Sequence, residues 1–196
     1  TMSKSDLLKE YNRKRDFKKT PEPAGEVNSS KGNPIFVIHH HAATADHYDF
    51  RFEVDGVLKS WAVPKGPSTD PSDKRLAVPT EDHPISYANF VGTIPQGEYG
   101  GGTVMLWDRG TYQNLKEEEG ISMQEAYEMG RIEIWLEGKK LQGGYALIRT
   151  GGKKKQNWLL IKKNDEEADR DMEITLEEPD SVLTNRSMDE IAGAAG

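Results

Sequence analysis

Residues 39–52 concentrate side chains that can bind metals and anions, and they hold all but one of the five histidines of the chain. The functional side chains of this stretch are His39, His40, His41, His47, Asp49 and Arg51. Imidazoles with a carboxylate form a common ligand set for divalent metals, and arginine binds phosphate or carboxylate oxygens through paired hydrogen bonds. The composition of the stretch therefore predicts a metal site beside an anion-binding group.

The second half of this stretch alternates polar and aromatic residues. His47, Asp49 and Arg51 occupy every second position, with an aromatic residue after each of them. Because successive side chains of a β-strand point to opposite faces, the pattern predicts one strand with an aromatic face in the core and a polar face outside it. A solvated strand also alternates, but its polar face usually carries threonine, lysine and glutamate. We therefore favour a functional site over a plain exposed face.

The residues themselves leave the third metal ligand open. His47 and Asp49 form a His-x-Asp pair, which is also half of the facial triad of non-haem iron oxygenases. Those enzymes take their second histidine from a distant strand. Any other histidine of this chain could complete the set: His39, His40, His41 or His83.

A second group of residues could bind phosphate. Each is cationic or can become so, and each lies near the end of a predicted strand: Arg51, Lys65, Arg75 and His83. Beside a metal set, such donors favour a phosphate site. The glycine-rich run 97–102 lacks the Lys-Ser/Thr pair of a nucleotide-binding loop and leads into a strand, so we interpret it as a turn.

Composition restricts the functions open to the chain. Its 196 residues suffice for one domain with a substantial core. Cysteine is absent, which excludes disulfides, thiolate nucleophiles and Cys-based metal sites. With a net charge of −7, a nucleic-acid partner would need a local basic patch. Without a long apolar run or a visible signal peptide, we expect a cytoplasmic protein with no membrane partner, monomeric by default.

Strand and turn signals predict a mainly β protein. Short alternating segments recur over residues 35–165, with a hairpin turn expected at Asp55-Gly56 and another turn at 108–110. We expect a central antiparallel β-barrel of about eight strands with one or two short flanking helices. Residues 1–34 would form an N-terminal helix and a basic, turn-rich arm before this core, and residues 166–196 an acidic C-terminal segment after it.

Three runs of the sequence resemble a known family. They are FVIHHHAATADHYDFRFEVDGVLKSWAVPKGPS (36–68), RLAVPTEDHPISYANFVGTIPQGEYGGGTVMLWDRGTY (75–112), and KLQGGYALIR with NWLLIKKND (within 140–165). They resemble the 3′-phosphoesterase domain of bacterial and archaeal DNA ligase D systems, above all in the motif H-x5-H-Y-D-F-R. The resemblance covers most of the chain without a polymerase or ligase module, which implies a stand-alone phosphoesterase of bacterial or archaeal type.

The resemblance implies a β-barrel enzyme that heals DNA 3′ ends during double-strand-break repair by non-homologous end joining. Such an enzyme trims a terminal ribonucleoside to leave a 3′-phosphate, and then removes the phosphate to leave a 3′-OH. Its cofactor would be a divalent metal, Mn first, with Zn or Co as alternatives. Its partners would be primer–template ends carrying a terminal ribonucleotide or 3′-phosphate, together with a ligase and polymerase of the same system.

Carried over position by position, the resemblance implies three sets of site residues. The metal ligands would be His41, His47 and Asp49. Catalytic roles in gripping or supporting the phosphate would fall to Arg51, His83, Tyr87, Lys65 and Arg75. Substrate-binding roles, mainly in the diesterase step, would fall to Arg15, Asp16 and Glu22. The chain departs from the family pattern at Asp46, where an apolar residue is usual, and at His39 and His40.

Two other functions are compatible with the same residues. A cupin-like Fe(II) oxygenase would use His47, Asp49 and a distal histidine, would need an oxo-acid cosubstrate and would release no phosphate. A non-catalytic DNA-end-binding barrel would bind ends without turnover and hold a structural metal, so chelation would lower its stability. Conversion of a 3′-phosphate or 3′-ribonucleotide end to a 3′-OH end in the presence of Mn distinguishes the phosphoesterase from both.

Overall fold

Nine antiparallel strands form one sheet that closes on itself. The computed structural model describes residues 8–25, 33–151 and 157–194. The strands are β1 (Ile35–Ala42), β2 (Asp46–Val54), β3 (Val57–Val63), β4 (Arg75–Pro84), β5 (Gly92–Ile94), β6 (Gly102–Asn114), β7 (Arg131–Gly138), β8 (Gln142–Arg149) and β9 (Trp158–Lys162). Their order in the sheet is β1-β2-β3-β4-β9-β8-β7-β6-β5, and pairing of β1 with β6 closes eight of them into a barrel. The predicted barrel is confirmed, and β5 is added to β6 outside the ring.

Short helices flank the barrel. Within the described residues these are α1 (Lys9–Arg13), α2 (Met123–Met129), α3 (Ile174–Glu177) and α4 (Met188–Ala194), with 3₁₀ turns at Ile85–Asn89 and Glu117–Glu119. The side chain of Ser122 caps α2 by accepting a hydrogen bond from the backbone N–H of Glu125. None of the described helices has the length and apolar character required to span a membrane.

The two faces of β2 pack into two different cores. Tyr48, Phe50 and Phe52 are buried inside the barrel, where they join the buried indoles of Trp61 and Trp107. The opposite face carries His47, Asp49 and Arg51, as the alternation predicts. A second apolar cluster covers the outside of the barrel beside this face, and its largest members are Leu8, Tyr11, Leu58, Tyr87, Phe90, Ile94 and Leu106. The N-terminal arm and residues 85–94 therefore form a cover over the polar face of β2.

A β-bulge changes the direction of side chains in β4. Ser60 pairs with Thr80 and Leu58 pairs with His83, so β4 contains one more residue than β3 over this interval. Bulges bend a strand and redirect its side chains. As a result Asp82 forms an ion pair with Lys59 at 3.1 Å, whereas Glu81 and His83 both face the polar side of β2.

The prediction of a turn at residues 108–110 is wrong, because β6 continues through these residues. Asp108 is fully buried, and its carboxylate accepts backbone N–H groups from its neighbour Arg109 and from the β7–β8 turn. Oδ1 accepts from Lys139 and Lys140 at 3.0 Å each, and Oδ2 accepts from Leu141 at 2.9 Å. A Cβ on Gly110 would lie 2.0 Å from the Glu137 carbonyl oxygen, so close approach of β7 excludes a side chain there.

Replacing Asp108 should therefore destabilise the barrel. In Asp108→Ala several backbone N–H groups lose their acceptor, and each buried polar group left unpaired costs roughly 1–3 kcal/mol. We expect the free energy of unfolding in urea, followed by tryptophan fluorescence, to fall by about 2–4 kcal/mol. The exposed Asp171→Ala is the control and should change it by less than about 0.5 kcal/mol. An equally small change in Asp108→Ala would contradict this role.

Candidate functional site

The β1–β2 hairpin brings three potential metal ligands together. His41 pairs directly with His47 across the hairpin, and Asp49 follows two positions later on the same face. The Asp49 Oδ2 atom lies 3.3 Å from His47 Nε2 and 3.8 Å from His41 Nδ1. One donor atom from each residue lies within 4.8 Å of the others. Two nitrogens and one oxygen at this separation fit a divalent cation and leave coordination positions open.

The protonation states of Asp49 and His41 suit metal binding, whereas the pKa of His47 is raised, because its contact with Asp49 outweighs the effect of burial. Burial alone would raise the pKa of Asp49, but Arg51 and the two histidines outweigh it and hold the pKa at about 2. Burial lowers the pKa of His41, which favours its neutral, ligating form. His47 Nδ1 lies 3.0 Å from the Ala45 carbonyl oxygen, which can only accept. That carbonyl favours a proton on Nδ1 and leaves Nε2 as the ligand atom facing Asp49.

Arg51 joins the potential metal ligands to His83. Its buried guanidinium places Nη2 3.2 Å from Asp49 Oδ2 and Nη1 3.0 Å from His83 Nδ1. Its Nε donates to Nδ1 of the fully buried His39 at 3.3 Å. Burial, assisted by the charge of Arg51, lowers the pKa of His39 to about 3, so His39 is the neutral acceptor that this bond requires. The guanidinium is therefore held on both sides before any ligand arrives.

His83 is buried between two guanidiniums. Burial, followed by Arg51 and Arg15, holds the pKa of His83 well below its ordinary value of 6.5. Its Nε2 lies 3.5 Å from Arg15 Nη2, and its Nδ1 lies 2.9 Å from the Glu81 carbonyl oxygen. The ring of Tyr87 packs edge-on against His83, with ring centroids 4.7 Å apart. An anion bound here would reverse the field that keeps His83 neutral.

The N-terminal arm is attached to this site by buried ion pairs. Arg15 Nε lies 2.9 Å from Glu22 Oε2, and its Nη1 lies 3.1 Å from Glu81 Oε1. All three side chains are at most 4% exposed. Thr20 Oγ1 donates to the other Glu22 oxygen at 2.9 Å, and the guanidinium of Arg15 lies 4.0 Å from the ring centroid of Tyr11. The arm is thus part of the wall of the site.

These side chains line one crevice of about 210 Å³. It contains most of the predicted site residues: Arg15, Glu22, His41, His47, Asp49, Arg51, His83 and Tyr87. Three others lie outside its lining, namely Lys65, Arg75 and Asp16. Lys65 is exposed, Arg75 lies 3.6 Å from Asp73, and the Asp16 carboxylate accepts the Lys18 backbone N–H at 3.0 Å.

Sequence reasoning missed the parts that His39, Glu81 and Tyr99 have in the site. His39 was treated only as a candidate ligand and a departure from the family pattern, but its contact is with Arg51. Alternation along β1 could have indicated that His39 belongs to the site, because it places His39 and His41 on the same face. Glu81 was missed although it lies two positions before His83, where alternation along β4 places both side chains on one face. The departures at His40 and Asp46 form their own contact, since His40 Nε2 lies 2.9 Å from both Asp46 carboxylate oxygens.

Acid should weaken the attachment of the arm through Glu81. Burial alone would raise the pKa of Glu81, but a backbone hydrogen bond and the cations Arg15 and Lys14 outweigh it, so the pKa lies below its ordinary value of 4.5. A carboxyl whose pKa is depressed by folding stabilises the protein above its unfolded pKa and loses this effect as pH falls through the folded pKa. Glu81→Gln should therefore reduce the free energy of unfolding by about 1–3 kcal/mol at pH 7.

This difference between wild type and Glu81→Gln should narrow progressively once the pH drops below about 4.5. Urea unfolding at a series of pH values measures it. The exposed Glu166→Gln serves as control and should reproduce the wild-type profile. A difference that grows towards acid pH would refute the assignment.

Comparison with known proteins agrees with this geometry. Residues 39–149 match the family model of the DNA ligase D 3′-phosphoesterase domain. The chain is 49% identical over 193 residues to the multifunctional non-homologous end joining protein LigD of Pseudomonas aeruginosa, covering 95% of this chain and 22% of that protein. It is 46% identical over 156 residues to the multifunctional non-homologous end joining DNA repair protein LigD of Mycobacterium tuberculosis, covering 79% and 19%.

A third relative, the multifunctional non-homologous end joining protein LigD of Mycolicibacterium smegmatis, is 45% identical over 166 residues, which cover 83% of this chain and 21% of that protein. The chain thus spans about a fifth of the length of each of these relatives. The family match covers more than half of the chain and includes His41, His47 and Asp49 as well as His83. The chain belongs to the DNA ligase D 3′-phosphoesterase domain family.

Proposed function

We propose that this protein is a metal-dependent phosphoesterase that heals DNA 3′ ends for non-homologous end joining. It would remove a terminal ribonucleoside to leave a 3′-phosphate and then remove that phosphate to leave a 3′-OH. The observation that supports this most is that His41, His47 and Asp49, which could hold a metal, share one crevice with Arg51 and His83, which could bind a phosphate. Family membership and the end-joining names of the relatives support it further.

The cofactor would be held by His41, His47 and Asp49. A bound divalent cation, with Mn preferred over Zn or Co, would act as a Lewis acid and neutralise charge that develops on the phosphate. The mixed nitrogen and oxygen donors fit this choice. Asp49 remains ionised at any physiological pH, since its pKa is about 2, and it contributes the negative charge of the ligand set.

Arg51 and His83 would bind the scissile phosphate. Arg51 is fixed by Asp49 and His39, so it would contact a phosphate oxygen with little reorganisation, which is the basis of electrostatic transition-state stabilisation. His83 Nδ1 lies 2.9 Å from the Glu81 carbonyl, which can only accept, and 3.0 Å from Arg51 Nη1, which can only donate. With an anion bound, His83 would be favoured in its protonated form, and its Nε2–H would then donate to an oxygen of the phosphate or leaving group. Tyr87 would hold the His83 ring in place.

The remaining residues would act on the parts of the DNA farther from the reacting phosphorus. Arg15, 3.5 Å from His83 Nε2, would contact the same phosphate or the neighbouring ribose, and Glu22 would orient it. Asp16 would support Arg15 by ordering the turn after it. Lys65 and Arg75 lie outside the crevice lining and would bind phosphates beyond the scissile one. The protein would work in the cytoplasm, as a monomer, with a DNA ligase and a polymerase of the end-joining system.

The cationic groups argue against the competing functions. An oxygenase could use one arginine for the carboxylate of its oxo-acid, which leaves the other arginine and His83 without a role. A purely structural metal would not require an open crevice beside it. The choice can be made with a labelled primer–template that ends in a 3′-phosphate or a single 3′-ribonucleotide, incubated with protein and Mn. We expect 3′-OH ends to form. If Mn, Co and Zn all fail to yield them, the phosphoesterase proposal is wrong.

Asp49→Ala should lower the rate of both steps by about 10²–10³-fold or more, since it removes a metal ligand and a partner of Arg51. Asp46→Ala is a matched control on the same hairpin, because Asp46 is exposed and its described carboxylate contact is with His40. This control should stay within about threefold of wild type, as expected for a group that contacts neither metal nor phosphate. Turnover like that of wild type in Asp49→Ala would exclude the metal assignment.

Arg51→Lys separates phosphate binding from metal binding. Lysine retains the charge but loses the planar fork that reaches Asp49, His39 and His83 together, so we expect a rate loss of about 10²-fold or more. Mn at a hundredfold excess over its Kd should still stabilise this variant by about 2.7 kcal/mol, as it does wild type. Thermal unfolding with and without Mn checks this. Loss of the Mn effect in Arg51→Lys, or its retention in Asp49→Ala, would contradict the division of roles.

A further inference from the structure

The glycine-rich run 97–102 forms an ordered loop against the metal-ligand hairpin. The Pro95 carbonyl accepts the Glu98 N–H at 3.2 Å, and the Glu98 carbonyl accepts the Gly101 N–H at 3.0 Å, which gives two consecutive turns. Gly100 has a positive φ of 75°, and a Cβ there would contact His41 Cε1 at 3.6 Å. The loop backbone therefore lies directly beside the ring of a metal ligand.

This loop presents Tyr99 at the rim of the crevice. The Tyr99 side chain lines the crevice, yet the residue is 46% exposed. Its hydroxyl accepts from Lys14 Nζ at 3.3 Å and donates to Glu81 Oε2 at 3.4 Å. The Lys14 ammonium and the Arg15 guanidinium lie 4.6 Å and 5.3 Å from the ring centroid. An aromatic ring is thus fixed in orientation while part of its surface remains open to solvent.

The size of the crevice places any attached base at this rim. At about 210 Å³ the crevice is smaller than the roughly 300–1,000 Å³ pockets that enclose whole small-molecule ligands. A phosphate bound by Arg51 and His83 would fill much of it, so the nucleoside joined to that phosphate must extend outward. Aromatic rings beside cationic side chains bind nucleic-acid ends by stacking, with little sequence preference, because every base has a π-face.

We propose that Tyr99 is the stacking surface for the base of a nucleotide joined to the scissile phosphate. This inference rests on the proposed function and adds a substrate-positioning residue to it. The base would be either that of the nucleotide carrying the 3′-phosphate or that of the terminal ribonucleoside removed in the first step. Both offer the same chemistry, a purine or pyrimidine ring linked through a sugar to the bound phosphate.

The test is a double-mutant cycle in which the Tyr99 side chain and the base are removed separately and together. Wild type and Tyr99→Ala are assayed on ends with normal bases, on ends with an abasic nucleotide bearing the 3′-phosphate, and on ends with an abasic terminal ribonucleoside. We expect Tyr99→Ala to raise KM about 5- to 50-fold on normal ends, with kcat within about threefold of wild type. The abasic end that removes this difference identifies the stacked base.

Conservative variants separate stacking from a structural role of Tyr99. Tyr99→Phe retains the ring without the hydroxyl and should keep KM within about threefold of wild type, whereas Tyr99→Leu retains apolar bulk only and should behave like Tyr99→Ala. Met129→Ala, at a side chain that is 64% exposed on α2, is the control for loss of exposed apolar surface. It should leave KM unchanged on every substrate.

Each outcome of the cycle decides between stacking and its alternatives. If Tyr99→Ala raises KM equally on normal and on both abasic ends, Tyr99 only supports the N-terminal arm and the stacking proposal is overturned. If wild type forms 3′-OH ends and Tyr99→Ala has the same KM as wild type on normal ends, the stacking proposal is overturned while the proposed function stands. If wild type forms no 3′-OH ends, the proposed function fails and this inference fails with it.

Discussion

A buried guanidinium must have its donors satisfied on every side, and in this protein that requirement organises the outer face of the barrel. Arg51 is 3% exposed, and its partners come from three strands: His39 on β1, Asp49 on β2 and His83 on β4. Loss of one partner of a buried charge is far more costly than loss of a surface ion pair. The hairpin, the bulged strand and the cover over them therefore have to form together.

The cover is as necessary as the strands. Without the N-terminal arm and residues 85–94, the polar face of β2 would be an ordinary solvated surface, and its charges would be screened by water. The arm excludes water because Leu8 and Tyr11 pack into the second apolar cluster and because Arg15 pairs with Glu22 and Glu81. The site is thus built on the outside of the barrel, while the inside is filled with aromatic side chains that only stabilise it.

Periodicity predicted the face of β2 correctly, because burial of every second aromatic residue fixes the direction of the residues between them. The same rule could not choose between His39 and His41, which share one face of β1. Their roles diverge through cross-strand neighbours: His41 lies opposite His47, whereas His39 lies opposite Asp49 and within reach of Arg51. Only the family resemblance pointed to His41, and the geometry is consistent with it.

Features that depend on the register between strands distant in sequence could not be predicted from the sequence alone. The bulge in β4 turns both Glu81 and His83 towards the polar face of β2, and no local sequence pattern indicates where the register with β3 shifts. At residues 108–110 an aspartate and a glycine are typical of a local turn, but tertiary contacts explain why both residues are required there. Asp108 accepts N–H groups of the β7–β8 turn, and Gly110 admits the backbone of β7.

The charges of the crevice explain why the proposed phosphate site should depend on the metal. Its lining contains the guanidiniums Arg15 and Arg51 against the carboxylates of Asp49, Glu22 and Glu81, while His83 is kept neutral by its surroundings. Before a cation binds, the acidic groups therefore outnumber the permanent cations, and a phosphate is not favoured by net charge. A divalent cation held by His41, His47 and Asp49 would reverse that balance. Arg51, which already contacts Asp49, would then donate to an anion held beside the metal.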